Sequence, residues 1–129
     1  MANPLGKEVE EGSVGELLVI IRLLQYKVQA SFTLKDSGND LIAVKGTSMH
    51  TMQVRTSVVS RWKAPESGKI YGILALVSLK GFDETVELDK SRIYLLSRSE
   101  VGHKRSFNGE ELLEEFLLTD QRVNALFDH

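Results

Sequence analysis

The chain has 129 residues, of which 42% are hydrophobic and 26% are charged, and its formal net charge is −2. This balance is typical of a soluble globular protein, and the length favours one domain, predicted over residues 1–129. The chain has no cysteine and no apolar run long enough for a bilayer, which excludes disulfides and thiolate metal sites and predicts a cytoplasmic protein without a membrane partner.

The first predicted element is a helix over residues 5–26, which is dense in Leu, Ile and Val beyond Val14. Residues 13–16 also spell a capping box, so the sequence leaves open a second helix start at Ser13. Over residues 17–24 the apolar side chains lie nearly all round the helix, which predicts burial against a sheet.

Short strands follow the helix. Residues 28–34 alternate between polar and apolar, the pattern of a half-buried strand, and residues 36–39 form a turn signal. Two further short runs, residues 40–44 and 51–57, are joined around a Lys-Gly-Thr-Ser segment, which predicts a β-hairpin.

The hairpin brings polar residues together. If it turns symmetrically about Gly46 and Thr47, Asp40 faces Gln53 with their Cβ atoms roughly 5 Å apart. Side chains alternate along a strand, so Gln53 and Arg55 share one face. A carboxylate, an amide and a cation are therefore predicted to form one patch.

The remaining predicted elements complete an α/β order. A longer apolar run at residues 70–79 is typical of a strand covered on both faces. A second strand at residues 93–96 leads into a capping box at residues 97–100. An amphipathic helix at residues 108–118 and a short terminal helix at about residues 119–127 end this order of elements. The apolar stripe of the amphipathic helix predicts a core or dimer face.

The patch suits a hard divalent cation. Mg²⁺ prefers oxygen ligands and often uses only one or two carboxylates plus a substrate phosphate. Glu16, on the first helix, could supply a second carboxylate, although its place in the capping box gives it an equally good structural reading. Arg55 could stabilise charge on a phosphate but cannot act as a general base.

The order of these segments resembles the PD-(D/E)XK nuclease superfamily. A Glu-bearing helix is followed by a strand, by residues 38–44 (GNDLIAV) and by residues 53–56 (QVRT). The closest resemblance is to the branch of intron-encoded homing endonucleases, in which Gln commonly replaces the second acidic residue. The resemblance covers residues 5–101 as an order of elements.

This resemblance implies a fold and a set of site residues. The fold is α/β with a restriction-endonuclease-like core, a mixed central sheet of about four to five strands flanked by helices. Asp40 matches the metal-binding Asp, Gln53 the acidic or Gln position, Arg55 the Lys position and Glu16 the helix Glu. These four residues are the predicted catalytic set, and Glu16, Asp40, Gln53 and Val54 are the predicted metal ligands.

The implied activity is Mg²⁺-dependent hydrolysis of DNA phosphodiesters, with Mn²⁺ as an alternative ion and a homo-oligomer, dimer or tetramer, as the working form. Lys is usual where Arg55 stands, which puts the activity in question more than the fold. The alternative is therefore a nuclease-like domain without catalysis that binds DNA or a protein. A structural protein without metal or DNA is a third reading.

The predicted nucleic-acid contacts are basic residues and one aromatic residue. An aromatic side chain between two cations can stack on a base while the cations bind phosphate. The alternative for Trp62 is a ring folded back on the core. The net negative charge counts against general coating of nucleic acid but not against a local basic groove. The predicted contacts are Lys45, Arg61, Trp62, Lys63 and Lys69.

Overall fold

The computed structural model describes residues 7–33, 40–66, 69–82, 85–112 and 114–128. In these ranges one long helix is followed by strands and then by short helices. The elements are α1 Lys7–Gln25, β1 Gln29–Phe32, β2 Leu41–Lys45, β3 Ser48–Ser57, β4 Arg61–Lys63, β5 Ile73–Ser78, β6 Arg92–Ser97, α2 Arg98–Val101, β7 Ser106–Asn108, a 3₁₀ turn Glu114–Phe116 and α3 Asp120–Phe127. No helix in the described ranges is long and apolar enough to cross a membrane.

Five strands form one mixed sheet in the order β1-β2-β3-β5-β6, and β4 pairs with β7 in a second, two-stranded sheet. Strands β3 and β5 are parallel, whereas the other neighbours in the large sheet are antiparallel. The predicted α/β class with a mixed central sheet of this size is confirmed.

The β2–β3 hairpin has the register that the sequence predicts. Leu41 pairs with Met52, and Lys45 pairs with Ser48 across the turn. Gly46 in this turn has a φ of 62°, a left-handed conformation that glycine adopts at little cost. The hairpin therefore aligns the start of β2 with the middle of β3.

The large sheet has a core on each face. On one face α1 packs through Leu18 and Val19 against Met52 and Val54, in a cluster that α3 also joins. On the other face the β4–β7 sheet covers β5 and β6 through buried residues that include Trp62. Because both faces are covered, β5 is buried along its whole length, as its apolar run predicts.

The sequence left open whether a second helix starts at Ser13, and of two further local predictions one is confirmed and one is wrong. Helix α1 runs unbroken through residues 13–16, because its packing against the sheet stabilises a single long helix over the capping signal. The capping box at residues 97–100 is present, and its Ser97 hydroxyl accepts a hydrogen bond from the Glu100 amide. The amphipathic helix predicted over residues 108–118 is replaced, within the described residues, by the end of β7, turns and a 3₁₀ turn.

The segment of residues 61–63 forms a strand, β4, which is not among the strands that the sequence predicts. It pairs with β7, which lies more than forty positions further along the chain, so no local sequence pattern predicts this strand. The turn predicted at residues 36–39 lies outside the described residues.

Candidate active site

The carboxyl-terminal half of β3 has an open edge. Strand β2 pairs only with residues 48–52, so residues 53–57 pair with β5 on one side and with no strand of the described ranges on the other. A cleft of about 580 Å³ lies between this edge and the amino-terminal half of α1, and we call it the carboxylate cleft. It is lined by Val9, Glu11, Gly12, Ser13, Glu16, Asp40, Val54, Arg55 and Thr56.

Asp40 extends the β2–β3 pairing with its side chain. Its amide donates to the carbonyl of Met52 at 2.9 Å, and its Oδ2 accepts a hydrogen bond from the Val54 amide at 2.8 Å. The Asp40 carboxylate therefore accepts the hydrogen bond from the β3 edge that a main-chain carbonyl would accept if β2 were longer. One acceptor position is used by this bond, and a carboxylate has others left for a ligand.

Glu16 is the second acidic group at this edge. Burial raises the pKa of the Glu16 carboxyl, and the charge and hydrogen bonding of Asp40 raise that pKa further. Two carboxyl groups that share a hydrogen bond lie side by side, and the negative charge of Asp40 opposes ionisation of Glu16. The cleft thus holds two acidic side chains, Glu16 and Asp40, in direct contact.

Helix α1 can reach this edge because of one glycine. Gly15, next to Glu16, meets the side chain of Thr56 on β3, and a larger residue would force the helix away. The Thr56 hydroxyl is buried and, within the described residues, makes no hydrogen bond. A buried hydroxyl without a partner is costly, which marks this part of the cleft as a place for a further polar group.

Arg55 and Gln53 lie differently with respect to the cleft. Both belong to the sheet face that carries Leu74 and Leu76, their partners on β5, which is the face opposite α1. Arg55 is partly exposed and lines the cleft. Gln53 is 2% exposed and is not among the lining residues, and the pairing of β2 with β3 ends at Leu41 and Met52, one residue short of the predicted pair of Asp40 with Gln53.

The donor atoms of the cleft fit a small hard cation. Two adjoining carboxylates supply oxygen ligands and a charge that a divalent ion would neutralise, and Val54 and Thr56 add a main-chain carbonyl and a hydroxyl nearby. In the described part of the chain no cluster of three or more His, Asp or Glu side chains could hold a metal by itself. This set suits Mg²⁺, which keeps several waters, better than Zn²⁺, which prefers nitrogen and sulfur.

The predicted nucleic-acid contacts are scattered over the surface. Arg61 and Lys63 are exposed on β4, and Lys69 is partly exposed near the start of β5. Lys45 is bound to α3, since its Nζ lies 2.6 Å from Asp128 Oδ1 and 3.2 Å from Asn124 Oδ1. Its charge is therefore largely neutralised within the chain.

Trp62 is a core residue. It is 4% exposed, its indole N–H donates to the carbonyl of Val77 at 3.0 Å, and its ring packs edge-on to Tyr94. The ring offers almost no surface on which a base could stack. Trp62 therefore folds back on the core, which is the alternative that the sequence left open.

Sequence reasoning gave no role to Thr56 or Gly15. Thr56 follows the Gln-Val-Arg segment directly, and its contact with Gly15 joins two elements about forty residues apart. A glycine one position before the helical Glu is the one local signal that could have indicated a close approach.

The fold is nuclease-like. No protein-family model and no curated protein matches the chain. A solved structure does match, that of the bacterial homing endonuclease I-Ssp6803I, with a TM-score of 0.60 and 12% identity over 96% of this chain and 88% of that chain. At this identity the similarity establishes the fold alone, and the activity must be argued from the cleft.

Proposed function

We propose that the chain is a metal-dependent DNA endonuclease of the PD-(D/E)XK type, with its active site in the carboxylate cleft. The observation that carries this proposal is the contact between Glu16 and Asp40 at the open edge of β3, on a fold similar to that of a homing endonuclease. Burial and the adjoining Asp40 raise the pKa of the Glu16 carboxyl, and a bound cation would offset the cost of ionising it.

Four residues in or beside the cleft form the proposed ligand set. Asp40 is fixed by its hydrogen bond from the Val54 amide, so its remaining oxygen lone pairs are oriented before any ligand arrives. Glu16 faces it from α1, and the carbonyl of Val54 and the amide oxygen of Gln53 complete the proposed ligand set. When bound, Mg²⁺ would neutralise the scissile phosphate and lower the pKa of a coordinated water.

Arg55 supplies the cation of the site. A guanidinium at the cleft can bind a phosphate oxygen through paired N–H donors and stabilise the charge that develops during hydrolysis. Because it stays protonated at any physiological pH, it cannot take a proton from the attacking water. The attacking water must therefore pass its proton to an acceptor other than Arg55.

We propose a homo-oligomer, a dimer or a tetramer, as the form that cuts duplex DNA. One cleft per chain can hydrolyse one strand at a time, whereas cleavage of both strands needs two clefts related by the two-fold symmetry of the duplex.

A second candidate function is a DNA-binding module without catalysis. It is favoured by the near-complete burial of Gln53 and by Arg in the position where Lys is usual in this superfamily. Both functions use the same surface, so they differ only in whether a phosphodiester bond is broken.

Plasmid cleavage in the presence of Mg²⁺ tests the proposal. We expect the native chain to nick or linearise the plasmid, and Asp40→Asn to reduce the rate by at least about 100-fold, because a neutral ligand replaces a charged one. Asn keeps an oxygen for the Val54 amide, so this variant removes charge while preserving the local hydrogen bond.

Arg55→Lys separates the two candidate functions. If the native chain binds DNA but does not cleave it, and Arg55→Lys cleaves, the fold is a nuclease disabled at one position. If neither protein cleaves with Mg²⁺ or Mn²⁺, the endonuclease proposal is wrong and the module remains.

A further inference from the structure

A second cleft, of about 620 Å³, opens at the carboxyl end of β3, beside the turn that follows it. We call it the basic cleft. Four of its lining side chains are cations, and one is an anion, so it carries strong positive charge in a chain whose net charge is −2. These residues are Arg61, Lys80, Lys90, Arg92 and Glu110.

The cations of the basic cleft are available to a ligand. Arg61, Lys80 and Arg92 are exposed, and within the described residues none of the three forms a salt bridge. Lys90 pairs with Glu87 at 3.2 Å, but both side chains are about half exposed or more, and such surface pairs are weak. Fold stability therefore gives no reason for the cluster.

The turn between β3 and β4 gives the cleft a fixed wall. The Ser57 hydroxyl accepts hydrogen bonds from the amides of Val59 and Arg61, each at 3.1 Å. Ser60 has a left-handed backbone with a φ of 57°, and its carbonyl accepts a hydrogen bond from the Gly109 amide at 2.8 Å. These three hydrogen bonds fix the turn, and they therefore fix the main-chain position of Arg61 at the cleft.

The basic cleft adjoins the carboxylate cleft. Residues 54–56 of β3 line the carboxylate cleft, and residues 58–60 line the basic cleft, so only Ser57 separates the two linings along the chain. On the sheet face of Arg55, the cross-strand row Ser57, Ser78 and Arg92 lies two residues beyond the row that contains Arg55.

The span between the clefts matches a short stretch of nucleic-acid backbone. Two strand spacings and one two-residue step place Arg92 about 12 Å from Arg55, measured between main chains. One strand of a duplex carries a phosphate charge about every 3.4 Å of its axis, so this span faces about three phosphates.

We propose that the basic cleft binds the phosphate backbone of duplex DNA and aligns it with the carboxylate cleft, with Lys80 and Arg92 as its main contacts. This inference rests on the proposed function for the identity of the substrate. A duplex is favoured over a single strand because single-strand sites use exposed aromatic rings for stacking, whereas Tyr94, the aromatic residue of this lining, is 5% exposed.

The test is binding of a fluorescein-labelled DNA duplex of arbitrary sequence in EDTA, where no metal-dependent cleavage occurs. We expect the double substitution Lys80→Gln and Arg92→Gln to weaken binding about 10-fold or more and to reduce the slope of log K against log salt by about 2, because two phosphate contacts are lost.

A matched control removes two exposed cations elsewhere. Lys104 and Arg105 border a different groove, and the double substitution Lys104→Gln and Arg105→Gln changes the net charge equally. We expect it to leave the affinity within about twofold of the native value. The exchange Lys80→Arg with Arg92→Lys keeps both charges and should bind like the native chain, which guards against a folding defect.

Three outcomes would overturn the inference. They are equal weakening by both double substitutions, an unchanged affinity in the Lys80 and Arg92 variant, and tighter binding of a single strand than of the duplex.

Failure of this inference can be told apart from failure of the proposed endonuclease function. Native protein that binds through this cleft but never cleaves overturns the endonuclease, whereas cleavage with unchanged binding in the Lys80 and Arg92 variant overturns the role of the basic cleft alone.

Discussion

Gly15 on α1 lies directly against Thr56 on β3, and a Cβ atom built at Gly15 would be 1.9 Å from Thr56 Oγ1 and 2.9 Å from Thr56 Cβ. No side chain fits in that space without a shift of the helix or the strand. This one contact sets the distance between α1 and the open edge of β3. It therefore sets how near Glu16 lies to Asp40.

Gly15→Ala should destabilise the chain by about 1–3 kcal/mol, because overpacking outweighs the gain in helix propensity. Gly12→Ala is the matched control, since a Cβ at Gly12 meets nothing within 4 Å and should stabilise the helix by about 1 kcal/mol. Thermal unfolding of both variants measures the difference. A Gly15→Ala protein as stable as Gly12→Ala would show that the two elements are not in close contact.

Glu16→Gln should stabilise the metal-free protein at neutral pH. Burial and the adjoining Asp40 raise the pKa of Glu16 above 4.5, so an ionised Glu16 costs folding free energy. After allowance for solvent screening, we expect a gain of about 0.5 kcal/mol, or about 2 °C in Tm.

The pH dependence of that gain has a defined sign. The folded chain holds the Glu16 proton to higher pH than the unfolded chain, so the penalty is present above the raised pKa and disappears as the pH falls through it toward 4.5. The Tm values of native and Glu16→Gln proteins should therefore converge in acid. A difference that grows as the pH falls would contradict the contact with Asp40.

Gln53→Glu tests whether Gln53 belongs to the ligand set. Gln53 is 2% exposed, so a carboxylate there is buried near Asp40 and should destabilise the chain in EDTA by about 1–3 kcal/mol. If the side chain reaches the cation, Mn²⁺ should raise the Tm of Gln53→Glu by more than it raises the Tm of the native chain. Equal or smaller stabilisation by Mn²⁺ would remove Gln53 from the proposed ligands.

Arg122→Met should destabilise the fold without touching either cleft. Arg122 pairs with Glu100, and its Nε donates to the carbonyl of Leu95 at 3.0 Å. Loss of the guanidinium removes this donor from the Leu95 carbonyl and leaves Glu100 with the Ser97 bonds alone, at a cost of about 2–4 kcal/mol.

The effect of Arg122 should also depend on pH. Burial opposes ionisation of Glu100, but hydrogen bonds from Arg122 and Ser97 outweigh it and lower the pKa of that carboxyl. The stability from the pair is therefore present above the ordinary carboxyl pKa and is lost as the pH falls through the lowered value. Urea unfolding at neutral and acidic pH should show native and Arg122→Met proteins becoming more alike in acid.

Local sequence signals predicted the fold well where they agreed with the packing. The helix, the hairpin register and the capping box before α2 follow from residue pattern and turn chemistry, and all three are present. The β4–β7 pairing was missed because it joins distant segments. The helix over residues 108–118 was wrongly predicted because Leu112, Phe116 and Leu117 join the core beneath the β4–β7 sheet from turns and a 3₁₀ turn.

The candidate site was predictable only in part. The register from the turn at Gly46 placed Asp40 opposite Gln53, but it could not show that the Asp40 carboxylate bonds to the Val54 amide while Gln53 is buried. That difference depends on where β2 ends and on what covers the far face of the sheet. The basic cleft was likewise hidden, since its four cations come from three separate segments of the chain.

The most direct test of the proposed function is a crystal soaked in Mn²⁺ and measured at a wavelength where manganese scatters anomalously. We predict one strong anomalous peak in the carboxylate cleft, within about 2.5 Å of oxygen atoms of both Glu16 and Asp40, and its disappearance in Asp40→Asn. A cleft without such a peak in well-ordered native crystals, or a peak that survives in Asp40→Asn, would contradict a metal centre at these two carboxylates.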